Sequence, residues 1–290
     1  MRIGSLMAVF AAILLSYGAA FGAEHQKSKI IKQTKIGQAK VDVVGRLGRD
    51  VILLNVGYTP EELRALLMEI EVVPPSGGKR LSSEIIRERY RAVYLNAAGY
   101  ARGRAYMESE RKELSAAEKQ FGVPKEVITA ILWVETNFGD ILGDKVAMEV
   151  LFGRAVRAKA LKLAHVAIEN FDQLRDFFVL CKKLGLSPRA VKSSYAGALG
   201  IPQFMPLSYK GFALDGDDDN IVDLFNSHAD AIVSAANYLE RHGARRNIRE
   251  SVKAYNHSDI YADTVLVYAG AISTPIRFWR MPKRSLIPKK

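Results

Sequence analysis

The chain has 290 residues, 49% of them apolar, a formal net charge of +11 and a single cysteine, Cys181. That apolar share can fill a sizeable core and excludes wholesale disorder, and one cysteine excludes a scaffold stapled by intrachain disulfides. The positive excess favours an anionic partner, whether nucleic acid, acidic lipid or an anionic wall polymer.

Residues 1–23 have a basic Arg2, an apolar run from Leu6 to Leu15 and small residues from Gly18 to Ala23. This is the layout of a secretory signal peptide, and the run is short for a membrane span. An uncleaved anchor is the other reading of the same stretch. Export, with the periplasm as destination, argues against a nucleic-acid partner.

Residues 24–80 read as a linker and a small segment of uncertain role. "KSKIIKQTKIGQAK" is basic and linker-like, and "VDVVGRLGRDVILLNVG" is rich in β-branched residues with glycine breaks, which predicts a small hairpin. "TPEELRALLMEI" predicts a helix with Thr59 as N-cap, Pro60 in the first turn and Glu62 closing a capping box. "VVPPSGGKR" reads as a flexible joint.

From Ser82 onward the apolar spacing is helical. Ile85, Tyr90, Val93, Tyr94 and Leu114 keep the period, with expected breaks at Gly99 and Gly103 and an end at Gly122 and Pro124. "PKEVITAILWVE", "FDQLRDFFVLCKKLGL", "ADAIVSAANYLERHG" and "DIYADTVLVYAGAI" follow as further helices. Cys181 lies in the second of these and reads as a small buried hydrophobe rather than a nucleophile. Strand signals are scarce, so the predicted class is mainly α, with a helical domain over residues 81–272, a small N-terminal appendage containing β structure, and a basic tail over 273–290. The tail, "RFWRMPKRSLIPKK" from Arg277, is a solvated end or a contact for a wall or membrane surface.

The five histidines lack metal-ligand spacing, and the chain has neither a GxSxG elbow nor a phosphate-binding glycine loop. Three segments carry possible chemistry. In "VETNFG", Glu135 closes an apolar helix. Desolvation would raise its pKa and keep it protonated as a general acid, while the alternative is a polar helix end that ties off the turn. "SSYAGALGIPQFMPLSY" (193–209) combines small residues that admit close approach with Ser194 and Gln203 as hydrogen-bonding groups and Tyr195, Phe204 and Tyr209 as flat faces. That mix suits a sugar, and it equally suits a tight turn between helices. "AYNHSDIYAD" brings Tyr255, Asn256 and Tyr261 to a helix start where Ser258 or Asp259 can cap.

Taken together, Glu135 with its glycine turn, "SYAGALGIPQFMP" and "YNHSDIYA" resemble the membrane-bound lytic murein transglycosylase B family, over about residues 84–270. The resemblance implies a lysozyme-like fold and cleavage of the β-1,4 bond between N-acetylmuramic acid and N-acetylglucosamine in peptidoglycan. It implies Glu135 as the catalytic acid and Ser194, Gln203, Tyr255, Asn256 and Tyr261 as substrate-binding residues. The implied reaction uses one carboxyl as acid and then as base, so that the sugar's own C6 hydroxyl closes a 1,6-anhydro ring and no cofactor is needed. A lysozyme-type hydrolase would need a second acid, for which Asp140 and Glu149 are the nearest in sequence. A wall-binding module without catalysis is the third reading.

"LDGDDDNIVDLFNSHAD" places Asp215, Asp217, Asp219 and Asp223 at positions one, three, five and nine of an EF-hand-like loop. Asn220 replaces the usual glycine at six, and Asn226 replaces the glutamate at twelve. The resemblance implies a structural calcium here with Asp230 as a late ligand, and the alternative is a solvated acidic loop.

Overall fold

The structure is a computed structural model and describes residues 33–72 and 81–273. The signal-like segment, the Pro–Gly joint and nearly all of the basic tail lie outside the described residues. Among the described residues there are twelve helices and one two-stranded sheet.

The chain enters through α1 (Gln33–Leu53). Ile36, Ala39, Val43, Val44, Leu47 and Val51 recur every three or four residues and are all buried, so they form one apolar stripe. The hairpin expected here is therefore corrected to a helix, and from Gln33 onward so is the linker. The β-branched content suggested strands, but the burial period is helical, and Gly45 and Gly48 sit inside the helix. At Gly48 an added Cβ would lie 3.2 Å from Pro60, so this glycine brings the next helix close. That helix, α2 (Pro60–Leu67), has the expected capping box: Glu62 N–H donates to Thr59 Oγ1 at 3.1 Å, and Thr59 N–H donates to Glu62 Oε2 at 2.7 Å.

Next come α3 (Ser83–Tyr94), α4 (Ala97–Ser109), α5 (Arg111–Phe121) and α6 (Lys125–Thr136). The break between α3 and α4 falls at Asn96, whose side chain caps Gly99 N–H at 2.9 Å, and not at the glycines. Gly99 and Gly103 lie within α4 because other groups occupy the space of a side chain. An added Cβ would be 2.9 Å from Trp133 at Gly99 and 2.3 Å from the Tyr268 hydroxyl at Gly103.

β1 (Lys145–Val146) leads into α7 (Ala147–Ala160), a helix absent from the sequence reading, and α8 (Ala164–Lys183) starts before its predicted Phe171. β1 pairs antiparallel with β2 (Lys192–Ser193), Lys145 opposite Ser193. The chain ends with α9 (Pro206–Phe212), α10 (His228–Arg241), α11 (Ile248–Asn256) and α12 (Asp259–Ile272).

Two large cores result. One surrounds α6 and draws on α3–α5, α10 and α12; the other is built by α1, α2, α7 and α8. Cys181 is buried in the second, and burial pushes its thiol up to about 12, as befits a packing residue. No helix among the described residues is long and apolar enough to cross a membrane.

Candidate active site

Helix α6 is buried along nearly its whole length and stops where Asn137, Phe138 and Gly139 take positive φ (55°, 60° and 91°). Glycine suits such a turn, and asparagine tolerates it. Thr136 fixes the end from inside: its Oγ1 donates to Ile201 O at 2.8 Å and accepts from Gly139 N–H at 3.0 Å. Glu135 thus sits in the last helical turn with only 6% of its surface exposed.

The Tyr261 hydroxyl donates to Glu135 Oε1 at 2.6 Å. Burial raises the Glu135 pKa from 4.5 to about 8, partly offset by that hydrogen bond, which favours the ionised form. The carboxyl is therefore mostly protonated at neutral pH. Tyr261 lies parallel to Tyr255, with ring centroids 6.4 Å apart, and the Tyr255 hydroxyl donates to Pro202 O at 2.7 Å. One residue chain thereby links the acid to the 193–209 segment.

Tyr90 and Tyr94 complete the surroundings. Both hydroxyls are buried without a hydrogen-bond partner, and both feel the charge of Glu135. The sequence reading placed them only as apolar helix positions, because a tyrosine at helical spacing does not announce where its hydroxyl ends. The Asn256 Oδ1 is likewise buried and unpartnered. Trp133 turns its indole to Gly99 and stacks on Tyr268.

The 193–205 segment is a tight turn that also borders the site. Ser194 is buried and its Oγ accepts from Ala198 N–H at 3.1 Å, so it closes the turn. Gln203 has φ 52° and donates Nε2 to Gly200 O at 3.0 Å and Leu142 O at 3.3 Å. Gly143 packs so close that an added Cβ would lie 2.1 Å from Ser193 O, and an added Cβ at Gly200 would lie 2.4 Å from Leu224 O. Tyr195 is 38% exposed at the rim. Glu135, Tyr255, Asn256, Tyr261 and Gln203 are thus held by one framework, with Ser194 inside the turn.

No second acid stands ready beside Glu135 among the described candidates. Asp140 is half exposed and bonded to Arg102 Nη2 at 2.5 Å and Asn137 Nδ2 at 3.0 Å. Glu149 is exposed on α7. A cavity of about 570 Å³ lies between α1 and α7–α8, lined by none of these groups.

In the acidic loop, ligand oxygens of Asp215, Asp217 and Asp230 come within 4.8 Å of one another. Asp230 is fully buried, and burial, reinforced by the charges of Asp217 and Asp215, raises its pKa despite N–H bonds from Gly216 and Asp223. Three converging carboxylates of this kind fit a hard cation with oxygen ligands. Asp219 and Asp223 are not in the cluster: Asp219 Oδ1 accepts Ile221 N–H at 2.7 Å, and Asp223 caps Phe225 and Asn226. Asn220 does take the positive φ, 70°, that position six requires.

A stretch of 178 residues is 32% identical to membrane-bound lytic murein transglycosylase B of Escherichia coli; it covers 59% of this chain but only 45% of that relative. The fold is similar to the soluble lytic transglycosylase SltB1 of Pseudomonas aeruginosa, with TM-score 0.66, 23% identity, and 80% of this chain and 98% of that one covered. It is also similar to the Escherichia coli lytic transglycosylase Slt35 solved with calcium, with TM-score 0.65, 22% identity, and 79% and 92% covered. Residues 53–250 match the family described as the transglycosylase SLT domain, and the chain belongs to that family.

Proposed function

We propose that the protein is an exported lytic transglycosylase that cleaves the β-1,4 bond between N-acetylmuramic acid and N-acetylglucosamine in peptidoglycan. The observation that carries this reading is the buried carboxyl of Glu135, whose pKa burial raises to about 8 and which one tyrosine hydroxyl holds. Neutral Glu135 gives its proton to the glycosidic oxygen as the C1–O bond breaks through an oxocarbenium-like transition state. The carboxylate left behind takes the proton of the muramic acid's C6 hydroxyl while that oxygen bonds to C1, closing the 1,6-anhydro ring. The acid is restored and no water is consumed.

A retaining glycosidase needs a second carboxylate as nucleophile, and an inverting one needs it to activate water. Here the nucleophile belongs to the substrate, so proximity takes the place of that second group. The engagement of Asp140 with Arg102 supports this reading over hydrolysis. Tyr261 orients the acid, and Tyr255, Asn256, Gln203 and Ser194 shape the sugar groove. Asp215, Asp217 and Asp230 would hold a structural calcium, whose positive charge would offset the three carboxylates.

Digestion of purified peptidoglycan followed by mass analysis tests the chemistry. The expected products are one water lighter than those of hydrolysis; products of hydrolytic mass would overturn the mechanism. Glu135→Gln should abolish cleavage while leaving glycan binding intact, and cleavage at the native rate would remove Glu135 from its role.

A further inference from the structure

The cavity between α1 and α7–α8 takes no part in the acid's surroundings or in the acidic loop, and its lining combines two chemistries. Its floor is apolar, from Ala39 and Val43 on α1, Ala155 on α7 and Phe171 on α8. Its rim carries four cations, Lys35, Arg46, Lys159 and Lys162, against one acid, Asp42. That acid is already engaged: Asp42 Oδ2 lies 3.6 Å from Lys159 Nζ, and its Oδ1 accepts Gln38 Nε2 at 2.8 Å. Lys35, Arg46 and Lys162 have no ion pair among the described residues. At about 570 Å³ the space is the size of an ordinary small-molecule site.

The cations are placed, not merely present. The Arg46 guanidinium carbon lies 3.8 Å from the centroid of the Phe171 ring, and a guanidinium stacked on a ring keeps its N–H edge for an anion in its own plane. Lys162 takes a positive φ of 59° between α7 and α8. On α1, Lys35, Asp42, Arg46 and Leu53 fall at helical spacing on one face, so the charged rim runs on to Leu53, which is 81% exposed beside the exposed Ile52 and Leu54. Ile168, another lining residue, is 51% exposed. Apolar side chains facing water beside unpaired cations suit a partner that has both an anionic head and an apolar chain. A small soluble anion would leave the floor and these side chains uncovered. The segments outside the described residues, 1–32, 73–80 and 274–290, each carry more cations than acids, and a second copy brings a net charge of +11, so neither complements this rim.

We propose that the cleft between α1 and α7–α8 binds an acidic phospholipid, with the phosphate held by Arg46, Lys35 and Lys162 and an acyl chain laid on the floor of alanines and Phe171. The site stands apart from Glu135 and does not depend on the peptidoglycan reading. It would hold this face of the molecule against a surface of anionic lipid, with the cations at the level of the headgroups and Ile168 and Leu53 below them.

Calorimetry on the full chain tests it, with dihexanoyl phosphatidylglycerol kept below its micellar concentration as the probe. The zwitterionic dihexanoyl phosphatidylcholine and the chain-free glycerol 3-phosphate should each bind roughly fivefold or more weaker than this probe, the scale of one basic side chain at an anionic lipid surface. Absence of phosphatidylglycerol binding overturns the proposal. So does equal affinity for phosphatidylcholine, which would remove the charge selection, or for glycerol 3-phosphate, which would remove the acyl chain. Arg46→Gln and Lys162→Asn should each weaken phosphatidylglycerol roughly fivefold, asparagine being tolerant of the positive φ at 162. If Arg46→Gln also lowers the melting temperature, the exposed Lys162 decides, and unchanged affinity in Lys162→Asn overturns the site. Hydrogen exchange locates the lipid: bound phosphatidylglycerol should slow exchange in 35–46 and 159–171, and slowing confined to the apolar run of residues 1–23 counts against the cleft. Self-association of the native chain that Arg46→Gln abolishes would give the cleft to a second copy instead and overturn the lipid.

Discussion

Glu135 is buried in its neutral form, and this has a calculable consequence for stability. In the unfolded chain it titrates near the ordinary 4.5; in the folded chain, near 8. Between those values the unfolded state is ionised and the folded state holds a proton, so stability falls as pH rises through that window, by about 1.4 kcal/mol per pH unit. Glu135→Gln removes the term. Its melting temperature should exceed that of the native chain, and the gap should widen from about pH 5 to about pH 8; a gap that stays flat would mean the carboxyl is not buried neutral. Activity should decline as pH rises through about 8, where the acid loses its proton. Because the Tyr261 bond lowers the pKa, Tyr261→Phe should move that alkaline limb to higher pH, which a pH–rate profile reads directly. Burial of Glu135 was legible from the apolar run before it, whereas Tyr261, read as a groove residue, gave no sign in the sequence that its hydroxyl bonds the acid. Tyr90 and Tyr94 were not legible either, since only the packing of α3 against α6 and α12 turns their hydroxyls toward the acid.

At the level of elements, the acidic loop shows what spacing can and cannot tell. The sequence brought five aspartates forward, but three converge; the other two serve the backbone. Side chains of aspartate readily cap nearby N–H groups, and nothing in the spacing decides between capping and ligation. Calcium should raise the melting temperature relative to chelator by the mass-action term for a ligand of the folded state, and Asp230→Ala should abolish that rise. The cap at Thr59 was read correctly because a cap is a local signal, and of the two candidates Ser258 and Asp259 it is Ser258 that caps. Helix α1 was misread because its β-branched residues and internal glycines imitate a hairpin, and only a partner face, from α7 and α8, shows which period is buried.

For the whole molecule, the two cores meet near the site: α6 brings the acid from one, and the 193–200 turn packs onto α7 in the other. The predicted N-terminal appendage thus includes a helix that seals the second core. Leu47 is fully buried there, so Leu47→Ala should cost about 2–5 kcal/mol in a denaturant titration, although it lies far from the acid in sequence. A change near zero would show that α1 adds nothing to that core. The hydrogen bond between Glu135 and Tyr261 spans 126 positions, from α6 to the last described helix. During synthesis α6 leaves the ribosome long before Asp259–Ile272 exists. Until then the carboxyl has neither its partner nor its cover, ionises like any solvated glutamate and cannot protonate a glycosidic oxygen at neutral pH. On the transglycosylase reading proposed above, such a chain would be inert while it is being made, and its chemistry would switch on only when the Asp259–Ile272 helix closes over the acid.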